Sequence, residues 1–423
     1  MLNFRDVKLV ENPPGREEEM LPTLDELARE GARRMLVTAL EAEVAAYIEV
    51  HRGSRDEHGH ALVVRNGKAR PRRVTMGSGT VEVAAPRIHD KRPDQRFTSR
   101  ILPPYMRRSP KVAEVLPVLY LRGLSTGDFR EALPVLLGEE AEGLSPTNIA
   151  RMTASWQEEY QAFKKRRLDD RDYVYVWVDG IHVNVRLEVD RLCLLVMIGV
   201  RPDGTKELIA IEDGYRESTE SWLDLLRDLK ARGMQAPMVA VGDGALGFWA
   251  ALREVWPPTR EQRDWVHKLG NVLDKLPKRL RPKAKEALHE IMYAETRKAA
   301  KQAKAAFVAH YEVKYPKAVE SLRCDEEQLM TFFDFPAEHW KHLRTSNVVE
   351  SPFATVRLRQ RVTKGPGSRN KGLTMAFKLL EMAQKRWRRL DGAELLPLVR
   401  EGAIFVNGTR VERETNQEER IAA

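Results

Sequence analysis

The run from Tyr173 to Val178 constrains this chain most: six aromatic or β-branched residues in a row, followed at once by Asp179 and Gly180. Such a run suits a strand buried on both faces. Leu192 to Val200 reads as a second strand, closed by the turn Pro202-Asp203-Gly204, and Glu207 to Ile211 as a third. Short turns between them predict an antiparallel meander. Ser218 to Arg232 then has the spacing of a helix, with Trp222, Leu225, Leu226 and Leu229 on one face. Met238 to Val241 is a fourth strand, ending at Gly242, Asp243 and Gly244. A helix to about Val255 and a strand near Arg263 to Val266 follow.

The order β-β-β-α-β-α-β is that of the ribonuclease-H-like fold, so an α/β core of this type is expected, with a first part at 169–267. Residues 268–345 are Lys- and Ala-rich with no strand signal, and are expected to be an all-helical insertion. The core would resume at 346–390, with one helix from Asn347 and another around Leu373 to Trp387, and 391–423 would be a peripheral tail. Ahead of the core, residues 1–105 should hold one long amphipathic helix or two short ones from Thr23 to His51. A loop at Arg52 to Ala69, a hairpin with strands at 73–76 and 80–83, and a linker from Pro86 to Pro104 follow. Residues 106–168 read as helix, turn, helix, turn, helix, with Ser145-Pro146 starting the third. That pattern fits a helix-turn-helix DNA reader and equally a plain three-helix bundle.

Charge narrows the partner. The chain carries 71 Lys and Arg against 62 Asp and Glu, a formal net of +9, which puts polyanions first among candidate ligands. Between Arg357 and Arg389 there are eleven Lys or Arg and a single acid, Glu381. A basic run is often only a solvated face; beside a candidate catalytic carboxylate it points to nucleic acid. Arg357, Arg359, Arg361, Lys364, Arg369 and Lys371 are the candidate DNA contacts. Cys193 and Cys324 are too far apart to suggest a disulfide framework or a zinc pattern. No run approaches 18 apolar residues, and the N-terminal residues lack a secretory pattern. A cytoplasmic, nucleoid-associated protein with no membrane partner is expected.

Cutting and joining phosphodiesters needs an activated oxygen nucleophile and a stabilised leaving oxygen, which two hard divalent ions on carboxylates can supply. Asp179 and Asp243 each end an apolar strand. Taken alone, each is the Asp of an Asp-Gly turn; at the ends of neighbouring strands they would meet and repel unless a cation lay between them. Glu350 is the third candidate, although Asn347 to Glu350 also fits a capping box with Asn347 as N-cap. Asp213 is the substitute if the third carboxylate lies elsewhere. Asp203 reads as a turn residue, and Asp169, Asp170 and Asp172 as a solvated patch.

With these residues laid out, the chain resembles bacterial insertion-sequence transposases of the Mutator type from about Asn66-Gly67 to Trp387. The stretches that carry the resemblance are Tyr120 to Thr126, Trp177 to His182, Val241 to Gly244, Gln262 to His267, Asn271 to Pro277 and Leu343 to Glu350. It implies an Asp-Asp-Glu triad that falls on Asp179, Asp243 and Glu350, holding two Mg2+ ions, with Mn2+ able to substitute. It implies cleavage at element ends and strand transfer into target DNA, with terminal inverted repeats and target duplex as partners and a homodimer or higher assembly on DNA. The family's Cys or Asp, two residues, then His becomes Asp264 and His267, a pair expected to support the active site. His267 is equally a satisfied core histidine. Trp340 could stack on an unpaired base or sit in the core. A simple nuclease on the same fold and a non-enzymatic DNA-binding protein are the alternatives.

Overall fold

The computed structural model describes residues 22–124, 126–137, 146–186, 191–214, 218–244, 246–363 and 365–411. They divide into two units, one drawn from residues up to 120 with 124–147, the other from 121–123 with 148 onward.

In the first unit a single helix, α1 (Leu24–Val50), starts at a reciprocal cap: Thr23 accepts from the Glu26 N–H, and Glu26 accepts from the Thr23 N–H. Two antiparallel ribbons follow, β1 (Val63–Lys68) with β4 (Pro86–Asp90) and β2 (Arg72–Met76) with β3 (Gly79–Val83). The β2–β3 pair is the expected hairpin, closed with Met76 opposite Gly79 at φ +113°. The β1–β4 pair corrects two expectations, the loop at 52–69 and the linker at 86–104. β1 is exposed after its first residue and β4 has only one buried residue, and neither shows an apolar alternation that would reveal a strand from sequence. Leu40 of α1 buries against Val74, Val81, Val83 and Leu102, with Leu36 and Val37 packed beside it. Helices α2 (Pro110–Arg122) and α3 (Thr126–Leu137) come next.

The second unit takes α4 (Pro146–Lys165) from Asn148 onward. This corrects the grouping of 106–168 as one three-helix body. Trp156 and Tyr160 of α4 are buried, and the Tyr160 hydroxyl donates to the Ile211 carbonyl at 3.1 Å. The core holds β5 (Tyr175–Val183), β6 (Leu192–Val200), β7 (Lys206–Gly214), α5 (Thr219–Ala231), β8 (Val239–Gly242), α6 (Leu246–Val255) and β9 (Arg260–Arg263). Its strands form one mixed sheet in the order β7-β6-β5-β8-β9, with β7, β6 and β5 antiparallel and β5, β8 and β9 parallel. On one face Val176, Val178, Leu195 and Met197 pack with Trp222, Leu226, Phe248 and Leu252 of α5 and α6.

Past β9 the chain is helical without a strand up to Thr345: α7 (Trp265–Asp274), α8 (Arg281–Met292), α9 (Arg297–Tyr311), α10 (Pro316–Arg323), α11 (Glu326–Leu329) and α12 (Trp340–Leu343). Then α13 (Asn347–Thr363) packs on β5 and β6, and α14 (Arg369–Gln384) on β6 and β7. The expected peripheral tail is tied in: Leu396, Val399 and Phe405 are buried, and the Asn407 side chain accepts from the Arg297 N–H at 2.8 Å.

Gly199 shows how closely the sheet is packed. A Cβ there would come within 2.5 Å of Ile209 Cδ1 and 2.7 Å of Tyr173 Cδ1, both fully buried side chains. Gly199→Ala should destabilise the protein by roughly 1–3 kcal/mol through overpacking, read as a lowered urea midpoint; an unchanged midpoint would show that this part of the sheet has room.

Candidate active site

The strand carrying Asp179 does not stop there, as the sequence suggested. It continues to Val183 because β6 goes on pairing with it, Asp179 opposite Val196 and Gly180 opposite Leu195. What stops is the parallel partner. The last β5–β8 pair is Val178 with Gly242, so Asp179 and Asp243 each stand one residue beyond it on neighbouring strands, which run about 4.8 Å apart. In a parallel register both side chains leave the same face of the sheet, the face of Trp177 and Val241. Helix α13 covers β5 and brings Glu350 in its first turn.

Asp179 feels the other two carboxylates. Burial pushes the Asp179 carboxyl from 3.8 up to about 7, and the neighbouring Asp243 and Glu350 add to the rise, while the Gly180 N–H and His267 oppose it. The Gly180 N–H donates to Asp179 Oδ1 at 2.8 Å.

Glu350 is not part of the capping box expected around Asn347. The helix begins at Asn347, and the Val349 and Glu350 N–H groups bond to the Ser346 carbonyl, which makes Ser346 the cap residue. The Ser346 hydroxyl donates to Glu350 Oε1 and also lies 2.8 Å from Asp264 Oδ2. Asp264 is fully buried and caps α7: its Oδ1 accepts from the His267 N–H at 2.6 Å, and its Oδ2 accepts from the Ser346 N–H. Burial alone would raise the Asp264 carboxyl, but hydrogen bonds from His267 and Ser346 hold it below its ordinary value. His267 Nδ1 sits 3.3 Å from Asp264 Oδ1 and 3.7 Å from Glu350 Oε1. The Asp264 carboxylate beside it pushes the imidazole up to about 9, and Glu350 adds to the rise. Ligand atoms of Asp264, His267 and Glu350 fall within 4.8 Å of one another, a spacing that could hold a metal ion. Both Asp264 oxygens, however, already accept backbone N–H groups, which gives this residue a structural task.

The remaining candidates separate by burial. Arg357 and Arg361 are exposed, one helical turn apart on α13, and Lys371 is exposed on α14. Arg359 points inward at 2% exposure, which takes it off the DNA-facing set. Arg369 is bonded by Nε to Asp213 Oδ2 at 2.8 Å. That pairing also removes Asp213 as the substitute third carboxylate, since β7 is separated from β5 by β6. Lys364 lies outside the described residues. Trp340 is a core residue, not a base platform: its ring meets Phe332 and Phe333 edge-on, and its indole N–H donates to the Phe335 carbonyl. Asp203 holds its turn through the Thr205 N–H, and Asp172 pairs with Arg400 instead of standing in solvent.

Sequence reading missed Ser346 and Arg263. The signal for Ser346 was its place just before the helix, where a hydroxyl commonly caps. Arg263, 5% exposed, lies opposite Gly242 at the end of β9, and its guanidinium occupies the space a Cβ on Gly244 would need.

Residues 8–387 match the Mutator family of transposases. The chain belongs to that family. It is 58% identical over 305 residues to the transposase for insertion sequence element IS6120 of Mycolicibacterium smegmatis, covering 72% of this chain and 94% of that one. It is 48% identical over 287 residues to the transposase for insertion sequence element IST2 of Acidithiobacillus ferrooxidans, covering 66% and 95%. Against the transposase for IS905 of Lactococcus lactis the identity is 27%, over 78% of this chain and 81% of that one. Among solved structures, a Drosophila P element transposase strand transfer complex matches at 11% identity and a TM-score of 0.25, over 69% of this chain and 91% of that one. No helix of this Mutator transposase, among the described residues, is long and apolar enough to cross a membrane.

The raised Asp179 carboxyl has a sign that can be tested. The folded state binds this proton more tightly than the unfolded chain, so in the absence of divalent ions stability should fall as pH rises from about 4 through about 7. Asp179→Asn removes that penalty. In EDTA the variant should melt higher than the parent at pH 8, with the gap closing toward pH 5; a gap independent of pH would contradict the burial of a shared negative charge here.

Proposed function

We propose that this Mutator transposase cuts DNA at the ends of its element and joins the freed 3′ ends to target DNA, using Asp179, Asp243 and Glu350 as the catalytic carboxylates on a ribonuclease-H-like core. The helices between Asp264 and Ser346 are then an insertion into that core. The observation that carries the reading is the meeting of three carboxylates at one end of the parallel strands, with the Asp179 carboxyl raised by burial and by its two neighbours. Carboxylates packed this way without a cation destabilise the fold. They are hard oxygen donors of the kind that suits Mg2+ or Mn2+, so the residues present fit the ions the family implies.

Bound there, two such ions would activate an oxygen nucleophile and stabilise the leaving oxygen. The chain's own groups do the placing. The β5–β8 register sets Asp179 beside Asp243, and Ser346 and His267 hold the Glu350 carboxylate on the same side. In the first step a water oxygen attacks the phosphorus at the element end, and the broken bond leaves a 3′-hydroxyl. In the second, that hydroxyl attacks a phosphorus of the target strand and displaces its 3′ oxygen. Neither step forms a bond between protein and DNA. Arg357, Arg361 and Lys371 are exposed to hold phosphates without regard to sequence, and joining two element ends calls for a homodimer or larger assembly.

The test is strand transfer with labelled duplex carrying the element's terminal repeat, a target plasmid and Mg2+ or Mn2+. Asp179→Asn, Asp243→Asn and Glu350→Gln should each remove both cleaved and joined products while leaving duplex binding intact. Cleavage without joining would favour a simple nuclease. A second readout needs no activity. Saturating Mn2+ should raise the melting temperature of the parent, by about 2.7 kcal/mol of added stability at a hundred times the dissociation constant, and should raise that of Asp179→Asn far less. Equal stabilisation of both would place the ions elsewhere.

A further inference from the structure

The whole chain has a formal charge of +9, yet residues 65–111 alone hold thirteen Lys or Arg against three acids. This segment of the first unit therefore carries as much positive excess as the entire protein. Part of it is gathered into a cleft of about 540 Å3 lined by the β1–β4 ribbon and the segment 95–104. Arg70, Arg72, Arg87 and Arg96 line the cleft. They come from different places: Arg70 from the connection into β2, Arg72 from the start of β2, Arg87 from β4, and Arg96 from the stretch after it.

Arg72 is anchored, donating to the Leu102 and Pro103 carbonyls at 2.9 Å each. The other three are exposed, and no ion pair or side-chain hydrogen bond among the described residues engages them. The one carboxylate in the lining, Asp90, is already neutralised: Arg92 pairs with it at 2.7 Å, and the Tyr47 hydroxyl donates to it at 2.8 Å. His89 alternates with Arg87 on the same side of β4 and is exposed as well. Gathering guanidinium groups around one concavity costs electrostatic energy that an anion would relieve. The guanidinium fork matches phosphate oxygens, and groups spread across three elements suit a chain of phosphates better than one.

We propose that this cleft grips the phosphate backbone of duplex DNA, so that the first unit holds DNA through a β-ribbon and not through the helix pattern of 106–168. Helix α4, which would have been the reading helix of that pattern, buries Trp156 and Tyr160 instead. The proposal rests on the reading that this transposase acts on DNA, and its test separates the two.

Full-length protein would be titrated by fluorescence anisotropy into labelled duplex of the terminal repeat, a shuffled duplex of equal length, and a duplex RNA, across a range of salt. The variants are the triple changes Arg70→Ala, Arg87→Ala, Arg96→Ala and, at the same three sites, Arg→Lys. Each phosphate contact contributes about 0.9 to the slope of log affinity against log salt. The alanine variant should bind both DNA duplexes at least about tenfold more weakly, with a slope flatter by about 2 to 3. The lysine variant should keep most of the affinity and slope, which a folding defect would not allow. Wild-type affinity and slope in the alanine variant would overturn the proposal, and so would a loss confined to the terminal repeat or tighter binding of duplex RNA through the same arginines. Failure of the parent to bind any DNA would sink the transposase reading itself.

Discussion

The site depends on a single mismatch in strand length. β8 ends at Gly242 while β5 runs on to Val183, held by β6. Where the shorter strand stops, two acidic side chains stand side by side on one face. Like charges in that position oppose folding. The fold tolerates them because the sheet beneath is fully packed: Val176, Val178, Leu195 and Met197 on the opposite face are all buried against α5 and α6. The face that carries the carboxylates is packed as well, with Tyr175, Trp177, Val196 and Val241 buried beneath them.

Glu350 is placed differently from the two aspartates. It stands on a helix, and its position is fixed through side chains. Asp264 is the hub: from full burial it fastens the first turn of α7 through His267 and the first turn of α13 through Ser346. His267, its imidazole raised by Asp264, lies 3.7 Å from Glu350 Oε1. The Asp264 and His267 motif thus lies close to Glu350, and Ser346 is the link between the motif and the helix.

How legible this was follows from what each signal depends on. Strands β5, β6 and β8 were plain because they are buried on both faces, and an unbroken apolar run such as Leu192 to Val200 has no other home; β9, expected near Arg263 to Val266, lies at Arg260–Arg263, where only its last two residues are buried. Their order could be written down before any coordinates. The ends of strands were not legible, since whether β5 stops at Asp179 is decided by β6, a partner distant in sequence. The β1–β4 ribbon was invisible because most of its residues face solvent, where composition follows charge and not pairing. Arg357, Arg359 and Arg361 look alike as letters, and only the helix face on which Arg359 falls separates it from the other two. Trp340 and Asp213 were decided in the same way, by neighbours far along the chain: Phe332 and Phe333 for one, Arg369 for the other.

The fastening at Asp264 has a further consequence. Asp264 and Ser346 are 82 residues apart in sequence yet joined by a direct hydrogen bond, and beside it the Trp265 N–H donates to the Arg344 carbonyl at 2.9 Å. The helices from α7 to α12 therefore form a loop closed at its root. The entropy of closing such a loop grows only logarithmically, by about 0.6 kcal/mol for each doubling of length. Closure entropy alone therefore changes little with the length of chain beyond the root, while the root itself holds Glu350 beside Asp264. The distance along the chain from Asp243 to Glu350 is then a poor ruler for comparing relatives, and the two residues at the root are the better landmarks.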